Sequence, residues 1–257
     1  MHYEAYGRGR PVILLHGWLG SWGLWHDTMA YLGQGSYRTY ALDFWGFGES
    51  GKKRSSYEVQ DFVSLVDQFM EQMGIVSAPL VGHSMGGTVS LLVALQFPER
   101  VQKVVIIGSP IAGSSLALPL KLAGYRFIAW PLFHMMGAFR FGMRIASPFI
   151  CSDPNFPDLM DRDLSRTTLE SFLLSISSLR KTNLRSQLGQ LKIPVMGMFG
   201  AADNIVSPKQ GKVLKDSSPD SLLECFPEAG HFIMLDNPAE FMEKLKAFLD
   251  NSKEKQP

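Results

Sequence analysis

The stretch Ala78-Pro79-Leu80-Val81-Gly82-His83-Ser84-Met85-Gly86-Gly87-Thr88-Val89 decides how this chain folds. Ala78 to Gly82 reads as a short buried strand, and Thr88 to Phe97 as an almost wholly apolar helix stopped by Pro98. Between them Ser84 has a glycine two residues away on each side, Gly82 and Gly86. A serine raised on a sharp strand-to-helix turn sits in a strained backbone conformation, and bulky side chains at those flanking positions would clash. The helix that follows aims free N–H groups and its positive dipole end at the turn, so negative charge developing there is stabilised.

Outward from this turn, strand and helix patterns alternate, which is the signature of a parallel sheet covered by helices. Val12 to Leu15 and Tyr37 to Leu42 read as strands on the N-terminal side. Phe62, Val66, Phe69 and Met73 then recur at helical spacing over Glu58 to Met73, with Ser55-x-x-Glu58 as a capping box and Gly74 as the C-terminal cap. Val104 to Ile107 is the next buried strand. Alternation stops after Gly108, and from Pro110 to Ser186 the chain reads as several short helices rich in Leu, Phe, Met and Arg. Strand text resumes at Pro194 to Phe199 and Leu222 to Phe226, and Asn237-Pro238-Ala239-Glu240 opens a last helix. The expected fold is α/β, a mostly parallel sheet with helices on both faces. Residues 1–109 and 187–257 would form the core, with a helical cap inserted over 110–186 and a polar, frayed tail from Asn251.

Composition bounds the partners. The 257 residues carry 25 basic and 24 acidic side chains, so no global field points to nucleic acid. Cys151 and Cys225 lie far apart without metal-ligand spacing, and no metal is expected. Met1 to Tyr6 lacks the basic-then-apolar text of a secretory signal, and the uncharged run between Lys103 and Lys121 is broken by glycine, serine and proline. A cytoplasmic protein is expected.

A serine hydroxyl is a weak nucleophile until a base takes its proton. Of the six histidines, His231 stands apart because it follows the last strand, in the loop Pro227-Glu228-Ala229-Gly230-His231, at the edge where parallel sheets place their chemistry. His83 is read as pointing away from the serine by strand alternation, and His134 as packed beside Met135 and Met136. His2 and His26 lie in no acid-flanked or strand-end context. The partner acid is Asp203 in Gly200-Ala201-Ala202-Asp203-Asn204, after the penultimate strand, with Glu228 a weaker rival. Ser84, Asp203 and His231 in that chain order predict a triad working through an acyl-enzyme without a cofactor. Oxyanion donors are expected from the backbone N–H of Met85, directly after the serine, and of Trp18 in His16-Gly17-Trp18-Leu19-Gly20.

With these residues in place the chain resembles the α/β-hydrolase superfamily along nearly its whole length. The resemblance is carried by Leu14-Leu15-His16-Gly17, by Asp43-Phe44-Trp45-Gly46-Phe47-Gly48-Glu49-Ser50, by Gly82 to Gly87, by Gly200 to Asp203 and by Ala229-Gly230-His231. It implies a structural turn at Asp43 and a helical cap over the site. Serine at position 84 separates the chain from relatives that open epoxides or remove halogens with an aspartate nucleophile. His16-Gly17-Trp18 is similar to carboxylesterases, and Ser84-Met85-Gly86-Gly87 equally to carbon–carbon hydrolases of meta-cleavage products. The favoured reading is hydrolysis of a small-molecule carboxylic ester with an apolar acyl or aryl group. Its pocket would include Trp18, His16, Trp130 and Phe133. The alternatives are carbon–carbon hydrolysis, which would need Arg180, Arg185 or Asn183 beside a dienoate, and a receptor-like protein that keeps the fold to bind a ligand.

One charge pattern is hidden by the neutral total. Between Arg100 and Asp153 there is no Asp or Glu, while Lys103, Lys121, Arg126, Arg140 and Arg144 fall there among Phe127, Trp130, Phe133, Phe139 and Phe141. Such a basic cap surface would suit an acidic acyl-carrier protein or an anionic membrane, or consist simply of arginines snorkelling at an apolar rim.

Overall fold

A computed structural model describes residues 1–54 and 56–251. Seven strands form one sheet: β1 (His2–Gly7), β2 (Arg10–Leu15), β3 (Tyr37–Asp43), β4 (Ala78–His83), β5 (Val101–Ile107), β6 (Val195–Gly200) and β7 (Leu222–Phe226), in spatial order β1-β3-β2-β4-β5-β6-β7. Only β1 is antiparallel, pairing with β3; every other neighbouring pair is parallel. The central strands are buried on both faces, which is why they read as continuous apolar runs rather than alternating ones. Along β2, Ile13 and Leu15 enter one core while Val12 and Leu14 enter the other.

Helices cover both faces. Before β5 lie α1 (His26–Gly33), α2 (Val59–Gln72) and α3 (Met85–Gln96). Between β5 and β6 come α4 (Leu118–Ala123), α5 (Arg126–His134), α6 (Met136–Ala146), α7 (Phe156–Ser165) and α8 (Leu169–Lys181). After β6 come α9 (Gln210–Ser217), α10 (Ile233–Asp236) and α11 (Pro238–Asp250). The apolar stripes of α2 and α3, with Phe62, Val66, Phe69 and Val89, pack on one face of the sheet. Those of α1 and α11, with Met29, Leu32, Phe241 and Leu245, pack on the other. No helix among the described residues is long and apolar enough to cross a membrane.

Local chemistry accounts for the ends of α2. Its N-cap is Glu58, whose N–H donates to Asp61 Oδ2 at 2.7 Å, and Ser56 Oγ donates to the same oxygen at 2.6 Å. The expected cap at Ser55 lies outside the described residues, as does the expected fraying beyond Asn251. At the other end Gly74 takes φ +65°, the left-handed conformation that glycine adopts without penalty.

The turn that follows β3 is held by a buried carboxylate. Asp43, ending β3, is fully buried and accepts from the N–H groups of Trp22 (2.7 Å) and Glu49 (2.8 Å) and faces His2 Nδ1 (2.9 Å). It braces the turn that follows β3, as its expected structural role requires.

Candidate active site

Ser84 is the pivot between β4 and α3. Its φ and ψ are +51° and −118°, a combination side-chain-bearing residues avoid, so surrounding contacts must hold it there. Its N–H donates to Ile107 O on the adjacent β5 at 2.8 Å, and its carbonyl accepts from Gly87 and Thr88 in the first turn of α3. The flanking glycines are explained by close approach. A Cβ at Gly82 would lie 2.3 Å from the backbone of Gly86, and one at Gly86 would lie 2.2 Å from Leu15 O. Met85 opens α3, so its N–H is among the helix donors that have no partner inside the helix.

The residues expected as base and acid, His231 and Asp203, follow the ends of β7 and β6. His231 and Asp203 are both buried, with His231 Nδ1 2.8 Å from Asp203 Oδ2. The other carboxylate oxygen of Asp203 accepts from the N–H groups of Ile205 (2.8 Å) and Val206 (2.9 Å), which fixes the carboxylate plane. With Nδ1 committed to Asp203, the imidazole keeps Nε2 for proton transfer. Ser84 and His231 line the same cavity, of about 90 Å³. Glu228, the rival acid, is exposed on the loop.

His83 departs from expectation. Its ring does not point away from the site: Nε2 donates to His231 O at 3.0 Å, and the two rings lie 4.6 Å apart between centroids. His83 is the last residue of β4, still paired with Ile107 of β5, and the loop that carries His231 reaches its ring. Complete burial, and secondarily the neighbouring His231, hold its basicity well below that of an ordinary histidine, so it stays neutral. Among the described residues its Nδ1 has no hydrogen-bond partner. Gly230 is held from the opposite side, donating to Asp236 Oδ2 at 2.9 Å. Neither tether carries a sequence motif.

The loop after β2 lies directly against Ser84, since a Cβ on Gly17 would stand 3.0 Å from Ser84 Cβ. It is a tight turn, with Gly20 N–H donating to Gly17 O at 3.1 Å and Leu19 in a left-handed conformation at φ +61°. Trp18 lines the cavity, and its indole N–H donates to Phe172 O of α8 at 3.1 Å.

Three of the four expected pocket residues are better explained otherwise, or lie elsewhere. His16 does not line the cavity. Its ring nitrogens face Gly17 O (2.7 Å) and the N–H of Phe44 (3.0 Å), and burial lowers its basicity, so it is a neutral brace between two loops. Trp130 stands half-exposed on α5, where Ala129 is the one fully buried residue, and stacks on His134. Phe133 is partly buried away from the cavity. The inserted helices and their connections supply Leu120, Met143, Ile150, Phe156 and Met160 to the lining instead. The basic surface also needs correcting. Arg140 forms a bidentate pair with Asp161 (2.6 and 2.5 Å) and Arg144 a bond to Asp158 (2.7 Å), so acids of α7 neutralise two of the five expected cations.

A second tie joins the inserted helices to the loop after β2. Asp163 of α7 accepts from Ser21 Oγ at 2.8 Å and lies 3.2 Å from its neighbour Arg162 Nε. Burial, opposed by Arg162, pushes its carboxyl from 3.8 up to about 6. The folded chain therefore holds this proton more tightly than the unfolded chain does. The resulting stabilisation is greatest below about 4 and is lost as pH rises through about 6. Asp163→Asn, which does not titrate, should gain stability relative to the parent across that window, by up to about 3 kcal/mol. Denaturant melts of both proteins at either end of the window test this, and a difference that stays constant with pH rules it out.

The chain matches the family described as alpha/beta hydrolase fold over residues 10–238. It is 28% identical to a 2-hydroxy-6-oxo-6-phenylhexa-2,4-dienoate hydrolase of Burkholderia cepacia, over 98% of this chain and 91% of that protein. It is 26% identical to a pimeloyl-[acyl-carrier protein] methyl ester esterase of Aliivibrio fischeri, over 97% of each. In fold it is similar to an esterase from Exiguobacterium antarcticum, with a TM-score of 0.83 at 22% identity over 96% of this chain and 94% of the other. Because the family match runs from the first parallel strand to the start of the last helix, the chain belongs to the alpha/beta hydrolase fold family and is a hydrolase.

Proposed function

We propose that the protein hydrolyses a carboxylic ester with an apolar acyl or aryl group through an acyl-enzyme on Ser84. The observation that carries the reading is the convergence of a strained Ser84 and an Asp203-bound His231 on one apolar cavity. His231 Nε2 takes the hydroxyl proton as Ser84 Oγ attacks the ester carbonyl, and returns it to the leaving alkoxide. Asp203 keeps the proton of the imidazole on Nδ1 and stabilises the imidazolium that forms. The N–H groups of Met85 and Trp18 are assigned to the oxyanion, and water then cleaves the acyl-enzyme by the same steps in reverse roles.

Ester cleavage is preferred to carbon–carbon cleavage because of the lining. Among the described residues no Lys, Arg, Asp or Glu lines the cavity. Arg180 instead stacks over the Tyr125 ring at 4.0 Å, and Arg185 and Asn183 are exposed. A dienoate carboxylate in this cavity would have no cation to pair with, and burying an unpaired charge is strongly unfavourable. The carbon–carbon reading keeps in its favour two relatives named as hydrolases of this dienoate type. Neutral p-nitrophenyl esters should therefore be turned over with kcat/KM at least about tenfold above a matched ester bearing an acyl-chain carboxylate. Rapid cleavage of a meta-cleavage dienoate with no ester turnover would replace this reading with the carbon–carbon one.

A further inference from the structure

The inserted helices leave an apolar face uncovered. Of seventeen large apolar side chains exposed among the described residues, nine fall between Leu118 and Phe149. Phe127, Phe141 and Phe149 are 75%, 68% and 82% exposed, with Leu118, Met135 and Ile145 also above half. A patch of this density is more than a monomer in water ordinarily carries. It surrounds an open groove of about 620 Å³ between α5 and α6, lined by Phe127, Leu132, Met135, Phe139 and Met143 among others. Met143 also lines the cavity of Ser84, so the outer groove and that chamber share a side chain.

The charges around this face select its occupant. With Arg140 and Arg144 paired to α7, Lys121 and Arg126 are the cations of the face that have no carboxylate within ion-pair distance among the described residues. Two unpaired cations are too few for an acidic carrier protein, whose docking depends on many charge contacts. A second copy meeting this face about a two-fold axis would bring like charges together, because residues 101–152 contain no acid. An anionic lipid surface satisfies both features. Aromatic and aliphatic side chains enter the acyl boundary, while the cations and the half-exposed Trp130 sit at the headgroups.

We propose that the outer face of α4–α6 docks on an anionic bilayer, placing the groove and Met143 between the lipid and the catalytic cavity. The substrate class then becomes an ester carried in a lipid layer, which rests on the ester-hydrolysis reading; the docking step itself does not. The test is co-sedimentation of the full chain with phosphatidylcholine vesicles, with and without phosphatidylserine, beside turnover of soluble p-nitrophenyl butyrate. The parent protein should sediment with the phosphatidylserine vesicles. The triple variant Phe141→Ser, Ile145→Ser, Phe149→Ser should bind at least about tenfold more weakly, since each of these side chains gives up apolar burial. Lys121→Glu with Arg126→Glu should lose roughly fivefold per charge on the anionic vesicles and little on the neutral ones. Unchanged butyrate turnover in both variants shows that they fold. Absence of vesicle binding by the parent overturns the proposal. So does a parent dimer that the triple variant converts to monomer without any vesicle binding, which would assign the face to a second copy. If vesicle binding holds while no ester is cleaved, docking stands and the ester reading falls.

Discussion

Ser84→Ala should reduce ester turnover by on the order of 10⁴-fold or more, with the fold unchanged. The size follows from what remains. Without Oγ there is no acyl-enzyme, and the oxyanion donors and binding cavity are left to act on a water that nothing positions. His231→Ala should cost about as much, and the double variant hardly more, because nucleophile and base act as one unit. A serine-reactive phosphonate should label Ser84 in the parent protein and nothing in Ser84→Ala. Turnover persisting in that variant at more than about a hundredth of the parent rate would mean that another group opens the ester.

Gly86→Ala should be among the most destabilising single-methyl additions available to this chain. The added Cβ would stand 2.2 Å from Leu15 O and 2.6 Å from His16 O, both backbone atoms that no rotamer change can move. Relief requires sliding α3 away from β2, and overpacking of this kind costs about 1–3 kcal/mol or more. The same shift carries Ser84 away from the loop of Gly17 and Trp18, so activity should fall further than stability does. Urea melts paired with kcat/KM on the soluble protein check both parts. A variant with parent-like stability and activity would show that the elbow tolerates a side chain there.

The central architecture was legible because its strands are buried on both faces. Runs such as Val12 to Leu15 and Val104 to Ile107 are apolar without interruption, and each precedes a loop or helix signal. The proposed triad could be read because three strand ends carry the three residue types that nucleophilic catalysis needs. β1 was not, since His2 to Gly7 is an edge strand whose residues are mostly half-exposed and carry no apolar run. The cavity lining was not legible either. Met143 and Met160 look no different in the text from Trp130 and Phe133, and only the packing of the helices sorts inward from outward. The pairing of Arg140 with Asp161 was hidden for a related reason. The acids lie beyond the acid-free stretch, and α7 brings them back against α6.

Val104 and Val195 are paired in register on neighbouring strands of the sheet, yet five helices intervene between them in the chain. The entropy of closing such a loop rises only with the logarithm of its length, about 0.6 kcal/mol for each doubling. The sheet therefore places almost no limit on how long this excursion is or what it contains. Descendants of this chain are free to trade the roof over Ser84 for a longer, shorter or unrelated one while keeping the same reacting atoms beneath it. Substrate range should drift fastest there, and slowest at Gly86, where a single methyl group is already too many.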